Sequence, residues 1–170
     1  MGKPTERRIA GTHNRSNSGF SLIELLVVVA VILIIAAIAI PNFIDSKMRA
    51  NEASAVQNSR NVTTAEVVYS TTYGIGFSPS MAAMSGNGVT VDQNNAGLID
   101  SVLASGTKSG YVYSYTVLAS DPLGHVISYS LNADPQVQNN TGRRHFYTDQ
   151  TAVIRSNDSV SAGPSDPPIQ

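Results

Sequence analysis

The chain has no cysteine and no tryptophan, only three histidines, and charged side chains at just 14% of its 170 residues. The absence of cysteine excludes disulfides, thiolate metal sites and cysteine nucleophiles. His13, His125 and His145 are too scattered to form a metal-spaced pair. No nucleophile elbow, phosphate loop or dinucleotide fingerprint is present. The sequence therefore reads as a protein that is not an enzyme and carries no cofactor. Its net charge of −1 gives no support for nucleic-acid binding. No internal repeat is visible.

Against these absences stands one long apolar run. Residues 25–40 contain no polar side chain. The 21 residues 20–40 make roughly 32 Å of helix, enough to cross a bilayer. Just before the run stands Gly19-Phe20-Ser21-Leu22-Ile23-Glu24, with one carboxylate. A charged residue at the centre of a membrane helix costs about 2.5–3.5 kcal/mol on insertion scales. A simple anchor has no use for it, so Glu24 is expected to meet a cation. A cut after Gly19 would supply one, because the freed α-amine of Phe20 has a reference pKa of about 7.7–8.0. That amine could pair with Glu24 of its own chain or with Glu24 of a neighbour. The second pairing turns a penalty into a cue for axial register between subunits. A secretory signal would place its small-residue cut after the apolar region. Neither a signal nor a single-pass anchor accounts for Glu24 or for the Gly19-Phe20 junction.

The string from Gly19 through Glu24, the aliphatic helix behind it and Ile40-Pro41-Asn42-Phe43 resemble a prepilin-type N-terminus. This is the processing and assembly segment of type IV pilins and type II secretion pseudopilins. The close match covers about residues 19–43, and a looser one reaches about Tyr73. The resemblance implies cleavage after Gly19 by a prepilin peptidase, N-methylation of Phe20, and subunit assembly through Glu24 and Phe20. It also implies a helix kink at Pro41 and polymerisation of the helix into a filament core on an inner-membrane assembly platform. The missing cysteine departs from the many type IV pilins whose C-terminal region is closed by a disulfide, and it favours a pseudopilin or a disulfide-free pilin. A leader of 19 residues is also longer than the family's commonest.

Charge agrees with this orientation. The leader holds Lys3, Arg7, Arg8 and Arg15 against Glu6, and the positive-inside bias keeps it cytoplasmic. Removing residues 1–19 takes four of eleven basic and one of twelve acidic side chains, leaving a balance of −4.

Beyond Pro41, Met48, Ala55, Val62 and Tyr69 recur every seven residues, with Ile44, Ala65 and Tyr73 near the same stripe. This is a helical period suited to packing on a small sheet. Arg49, Asn51, Glu52, Gln57, Asn58, Arg60 and Glu66 fall on the other faces and read as solvated. Gly74 and Gly76 end the helix. Residues 74–95 read as loop. A short helix is expected at 96–105, with Asn95 as N-cap and Gly106 as stop. The period then changes to two. Strands are expected at 111–118 and 125–131, joined by the type I turn Asp121-Pro122-Leu123-Gly124. A second hairpin pairs 144–148 with 152–155, and residues 156–170 read as irregular. Tyr111, Tyr113 and Tyr115 read as half-buried strand residues rather than a binding stripe or an electron relay. Asp92, Asn94, Asn95, Asp121 and Asp134 lack the spacing of a calcium loop. Calcium therefore stays open as a ligand with no residue assigned. The triplets at Asn61, Asn139 and Asn157 carry little weight as glycosylation sites.

The expected fold is α+β and pilin-like, a long N-terminal helix packed on a small antiparallel sheet of about four strands. The expected organisation is a cleaved leader at 1–19, a helix at 20–73 with its membrane or filament core at 20–40, and a globular head at 74–170. The expected function is that of a structural subunit of a type IV pilus-like filament, membrane-inserted as a precursor with its head in the periplasm. A major pseudopilin of a type II secretion system and a membrane-tethered periplasmic binding module are the alternatives, and Glu24 argues against the second.

Overall fold

The computed structural model describes residues 19–86, 88 and 90–169. Lys3, Glu6, Arg7, Arg8, His13 and Arg15 lie outside them. In chain order the elements are α1 (Leu22–Tyr73), α2 (Met81–Met84), α3 (Ser101–Ala104), β1 (Thr107–Lys108), β2 (Tyr111–Ser120), β3 (Val126–Pro135), β4 (His145–Asp149) and β5 (Arg155–Asn157). The chain divides into two units, Met1–Ile40 and Pro41–Gln170, and α1 contributes to both. Pro41 removes one backbone donor, yet α1 is continuous through it.

In the first unit every described side chain is exposed except Ala36, which is half-buried. In the second unit, Ala55, Val62, Ala65 and Tyr69 of α1 join Tyr111 and Tyr113 of β2, Leu131 and Ala133 of β3 and Phe146 of β4 in one core. The seven-residue repeat sets this face, and Met48, Ala55, Val62 and Tyr69 are all buried. Ile44 stays 39% exposed. The sheet is antiparallel throughout, in the order β1-β2-β3-β4-β5. Tyr113 pairs with Ala133 and Tyr115 with Leu131, so alternate residues of neighbouring strands share the core face.

The sheet thus has five strands rather than about four. The addition is the two-residue β1, which Ser109 at φ 51° and Gly110 at φ 75° turn back onto β2. The last strand starts at Arg155, three residues later than expected, because Ala152 takes a left-handed φ of 62° and prolongs the turn. The tail is not wholly irregular: Arg155 bridges to Pro168, and the Ile169 N–H donates to the Ile154 carbonyl at 2.9 Å. The short helix is also smaller than 96–105. The N–H groups of Ala96, Leu98 and Ile99 are spent on the Ala83 and Met84 carbonyls. The helix therefore starts at Ser101 under an Asp100 cap, whose carboxylate accepts from the Leu103 N–H. α2, capped by Ser80, lies inside the stretch expected to be loop. The turn at Asp121 forms as expected, with the Gly124 N–H donating to the Asp121 carbonyl at 3.0 Å.

Three residues of the expected solvated face are buried instead, namely Glu52, Asn58 and Glu66. Each meets a partner far along the chain. Asn58 Nδ2 donates to the Tyr113 hydroxyl at 2.9 Å, and Glu66 accepts the Ser78 N–H at 2.7 Å. Burial of a polar side chain needs such a partner, and helical periodicity does not reveal it.

Candidate functional site

The N-terminal end of α1 is built by a cap. Gly19 and Phe20 precede the helix. The Ser21 hydroxyl accepts the Glu24 N–H at 3.2 Å, and the Ser21 carbonyl accepts the Leu25 N–H at 3.2 Å. Ser21-Leu22-Ile23-Glu24 therefore has the spacing of a capping box. The Ser-x-x-Glu spacing signals this cap, a role for Ser21 that the charge of Glu24 alone does not show. The cap puts the Glu24 carboxylate in the first turn, where the positive end of the helix dipole favours an anion by about 0.3–1 kcal/mol. Phe20 is 81% exposed four residues before it. A Cβ added at Gly19 would meet nothing within 4 Å, so the chain itself tolerates a larger residue there.

Behind this end lies a surface with nothing over it. The apolar part of α1 has a mean hydropathy of 3.3, and none of it is buried. Side chains such as Leu26, Val31, Ile34 and Ile38 are at least half exposed. Soluble monomers rarely present so large an apolar patch, and covering each Leu, Ile or Val gains about 1.5–3 kcal/mol. A bilayer or further apolar helices would supply that cover. Between Leu22 and Ile40 Glu24 is the only polar side chain. It alone distinguishes one axial position from another along an otherwise uniform aliphatic rod.

The second unit carries a charged cleft of about 290 Å³ between α1 and the β3–β4 connection. Glu52 Oε1 accepts the backbone N–H groups of Arg143 at 2.9 Å and Arg144 at 3.3 Å, and Glu52 Oε2 pairs with Arg144 Nε at 2.8 Å. Arg143 reaches Asp45 at 2.9 Å, and Asn51 donates to the Thr141 carbonyl at 2.8 Å. Burial pushes the Glu52 carboxyl up, but the Arg143 N–H and the Arg144 guanidinium outweigh it and hold the group below the usual carboxylate range. This cluster fastens the β3–β4 connection to the helix.

Among the described residues no group of three or more metal-ligating side chains comes together. The carboxylates of Asp92, Asp121 and Asp134 have local tasks. Asp92 accepts the Asn94 N–H, Asp121 accepts the Leu123 and His125 N–H groups, and Asp134 pairs with His145 and Ser161. Tyr111 and Tyr113 are core residues, and their hydroxyls bond to the Arg144 carbonyl and to Asn58.

Comparison with known proteins bears on the same segment. The family described as the prokaryotic N-terminal methylation motif matches residues 14–40. The type IV major pilin protein PilA of Myxococcus xanthus is 51% identical over 53 residues, which are 31% of this chain and 24% of that protein. A fimbrial protein of Pseudomonas aeruginosa is 36% identical over 113 residues, covering 56% of this chain and 73% of the relative. The type IV wide pilus major component PilA4 of Thermus thermophilus is 53% identical over 38 residues, 22% of this chain and 29% of its own. The match thus spans about a quarter of the Myxococcus protein and nearly three quarters of the Pseudomonas one.

Proposed function

This chain belongs to the type IV pilin family, whose matched members are structural proteins, and on that premise we propose that it is cut after Gly19 and built into a pilus. The observation that carries this reading is the bare apolar surface of residues 22–40 with one carboxylate, Glu24, in its first turn. Membrane lipid covers that surface in the precursor, and copies of the same helix cover it in the filament. A prepilin peptidase makes the cut, Phe20 becomes the N-methylated first residue, and an inner-membrane platform drives assembly. The new amine pairs with Glu24 of a neighbouring subunit. Leaving Glu24 unpaired among aliphatic side chains would cost far more than the dipole contribution returns, so the pair sets the register of one helix against the next. Pro41 is where the helix bends in the packed filament.

A pilus is favoured over a secretion pseudopilus because the Myxococcus relative is a type IV major pilin and the Thermus relative a type IV pilus component. Two measurements test the proposal. Mass spectrometry of the assembled protein is expected to find methylated Phe20 at the N-terminus, and Gly19→Val is expected to block the cut. An intact N-terminus, or a cut beyond Ile40, would sink the processing scheme. Electron micrographs labelled with an antibody to residues 111–155 are expected to show surface filaments. Labelled filaments confined to the periplasm would replace the pilus with a pseudopilus, and label on the membrane without filaments would leave a tethered module.

A further inference from the structure

The carboxyl of Glu66 is fully buried, yet its two oxygens are treated unequally. Oε2 accepts the Ser78 N–H at 2.7 Å, and no hydrogen bond reaches Oε1 among the described residues. Buried polar oxygens are seldom left without a donor. The donor beside this carboxyl is the Tyr115 hydroxyl, but its proton goes to the Ser78 carbonyl at 2.7 Å. One hydroxyl proton therefore has two candidate acceptors. Ser78 is itself fully buried, and its Oγ donates to the Ser80 carbonyl at 2.7 Å. Ser80 in turn caps α2, while the preceding Phe77 N–H is held by the Val126 carbonyl at 2.8 Å. The link from α1 to α2 thus hangs on Ser78, and Ser78 hangs on Glu66 and Tyr115.

The titratable groups that face Glu66 are Tyr69 on α1, Tyr115 on β2 and Tyr129 on β3. All are acids, and no lysine, arginine or histidine pairs with Glu66 among the described residues. Burial pushes the carboxyl up to about 7, against the help that the Ser78 N–H and Tyr115 give its charged form.

We propose that Glu66 and Tyr115 form a proton-controlled latch on the segment joining α1 to α2. While Glu66 holds its proton, the Tyr115 hydroxyl holds the Ser78 carbonyl. When Glu66 loses that proton to water, the hydroxyl turns to the carboxylate and the Ser78 carbonyl is released. The folded carboxyl binds its proton more tightly than the unfolded one, whose ordinary value is 4.5. Stability is therefore highest below that value, declines as pH rises towards 7, and is steady above it.

The test uses the full chain in detergent micelles. Carboxyl carbon resonances are expected to show Glu66 titrating near 7, with Tyr115 and Ser78 signals following the same curve. Amide-exchange protection of residues 77–84, corrected for intrinsic rates, is expected to fall about tenfold between pH 6 and pH 8.5. Glu66→Gln should flatten that change. Tyr115→Phe should bring protection at pH 6 down to the wild-type level at pH 8.5. A Glu66 midpoint below about 5.5, or a Glu66→Gln chain that still loses protection with pH, would overturn the latch. The carboxyl titration is read on the unaltered chain and so decides the matter even where a variant folds poorly.

Discussion

The two halves of α1 obey different rules although they belong to one helix. Residues 22–40 are aliphatic on every face, and every face is exposed. Residues 48–69 are polar on most faces and bury one stripe, together with five polar side chains, among them Glu52, Asn58 and Glu66 with partners beyond the helix. The first half is specified by total hydrophobicity and one charge. The second half is specified by which residues return every seventh position. A uniformly apolar rod is solvated equally well in any orientation by lipid or by other apolar rods, whereas a striped helix fits one sheet in one orientation.

The sharpest way to break the comparison is at Glu24. Glu24→Leu makes the first half uniform. The precursor is expected to insert and be cut as before, because neither step needs the carboxylate. Filaments are expected to be lost or nearly so, since removing one partner of a buried pair typically costs about 3–5 kcal/mol and the aliphatic helices can then slide. Normal filaments from Glu24→Leu alone, counted by electron microscopy, would refute the pairing.

A matched pair of substitutions sharpens it next. Val62→Asn buries an amide in the core of the second unit, with an expected loss of about 1–3 kcal/mol for the unpaired group, read as a lower melting temperature. Val31→Asn, on the bare half, should leave that temperature unchanged and reduce membrane insertion or filament yield. Equal effects of the two variants on melting would erase the distinction between the halves.

Smaller still is the acid response of Glu52. Its folded carboxyl sits below 4.5, so its contribution is complete above that value and is lost as pH falls through the folded one. Glu52→Gln should lower the melting temperature at pH 7 and remove part of the wild-type decline in acid, so the two curves converge at low pH. Parallel curves would show that the Arg144 pairing contributes nothing. The least effect is expected from Pro41→Ala. Insertion and head stability should persist while filament curvature or yield shifts, and unchanged filaments would make the proline incidental.

The sequence made the halves of α1 and the two long strands legible because each rests on local periodicity. Met48, Ala55, Val62 and Tyr69 advertise a buried stripe on their own. Glu52, Asn58 and Glu66 do not, because their partners, Arg143 and Arg144, Tyr113 and Ser78, become neighbours only after folding. The start of α3 is hidden from local sequence for a related reason. Asn95 and Asp100 are both good caps, and what favours Asp100 is that Ala96, Leu98 and Ile99 give their N–H groups to α2. At the N-terminus the capping role of Ser21 is local and is readable in the Ser-x-x-Glu spacing.

The meandering strand order has a consequence for how the head is made. Every strand pairs with its neighbour in sequence, so each hairpin closes over a short loop and the sheet accumulates step by step. The distant contacts are those with α1: Asn58 with Tyr113 across 55 positions, Asn51 with Thr141 across 90 and Glu52 with Arg144 across 92. Closing such loops costs entropy that grows only slowly with length, and without cysteine none of the closures is covalent. The docking of sheet on helix therefore rests on non-covalent contacts alone. The helix precedes every strand along the chain, so the surface that the last two strands pack towards is encoded before they are.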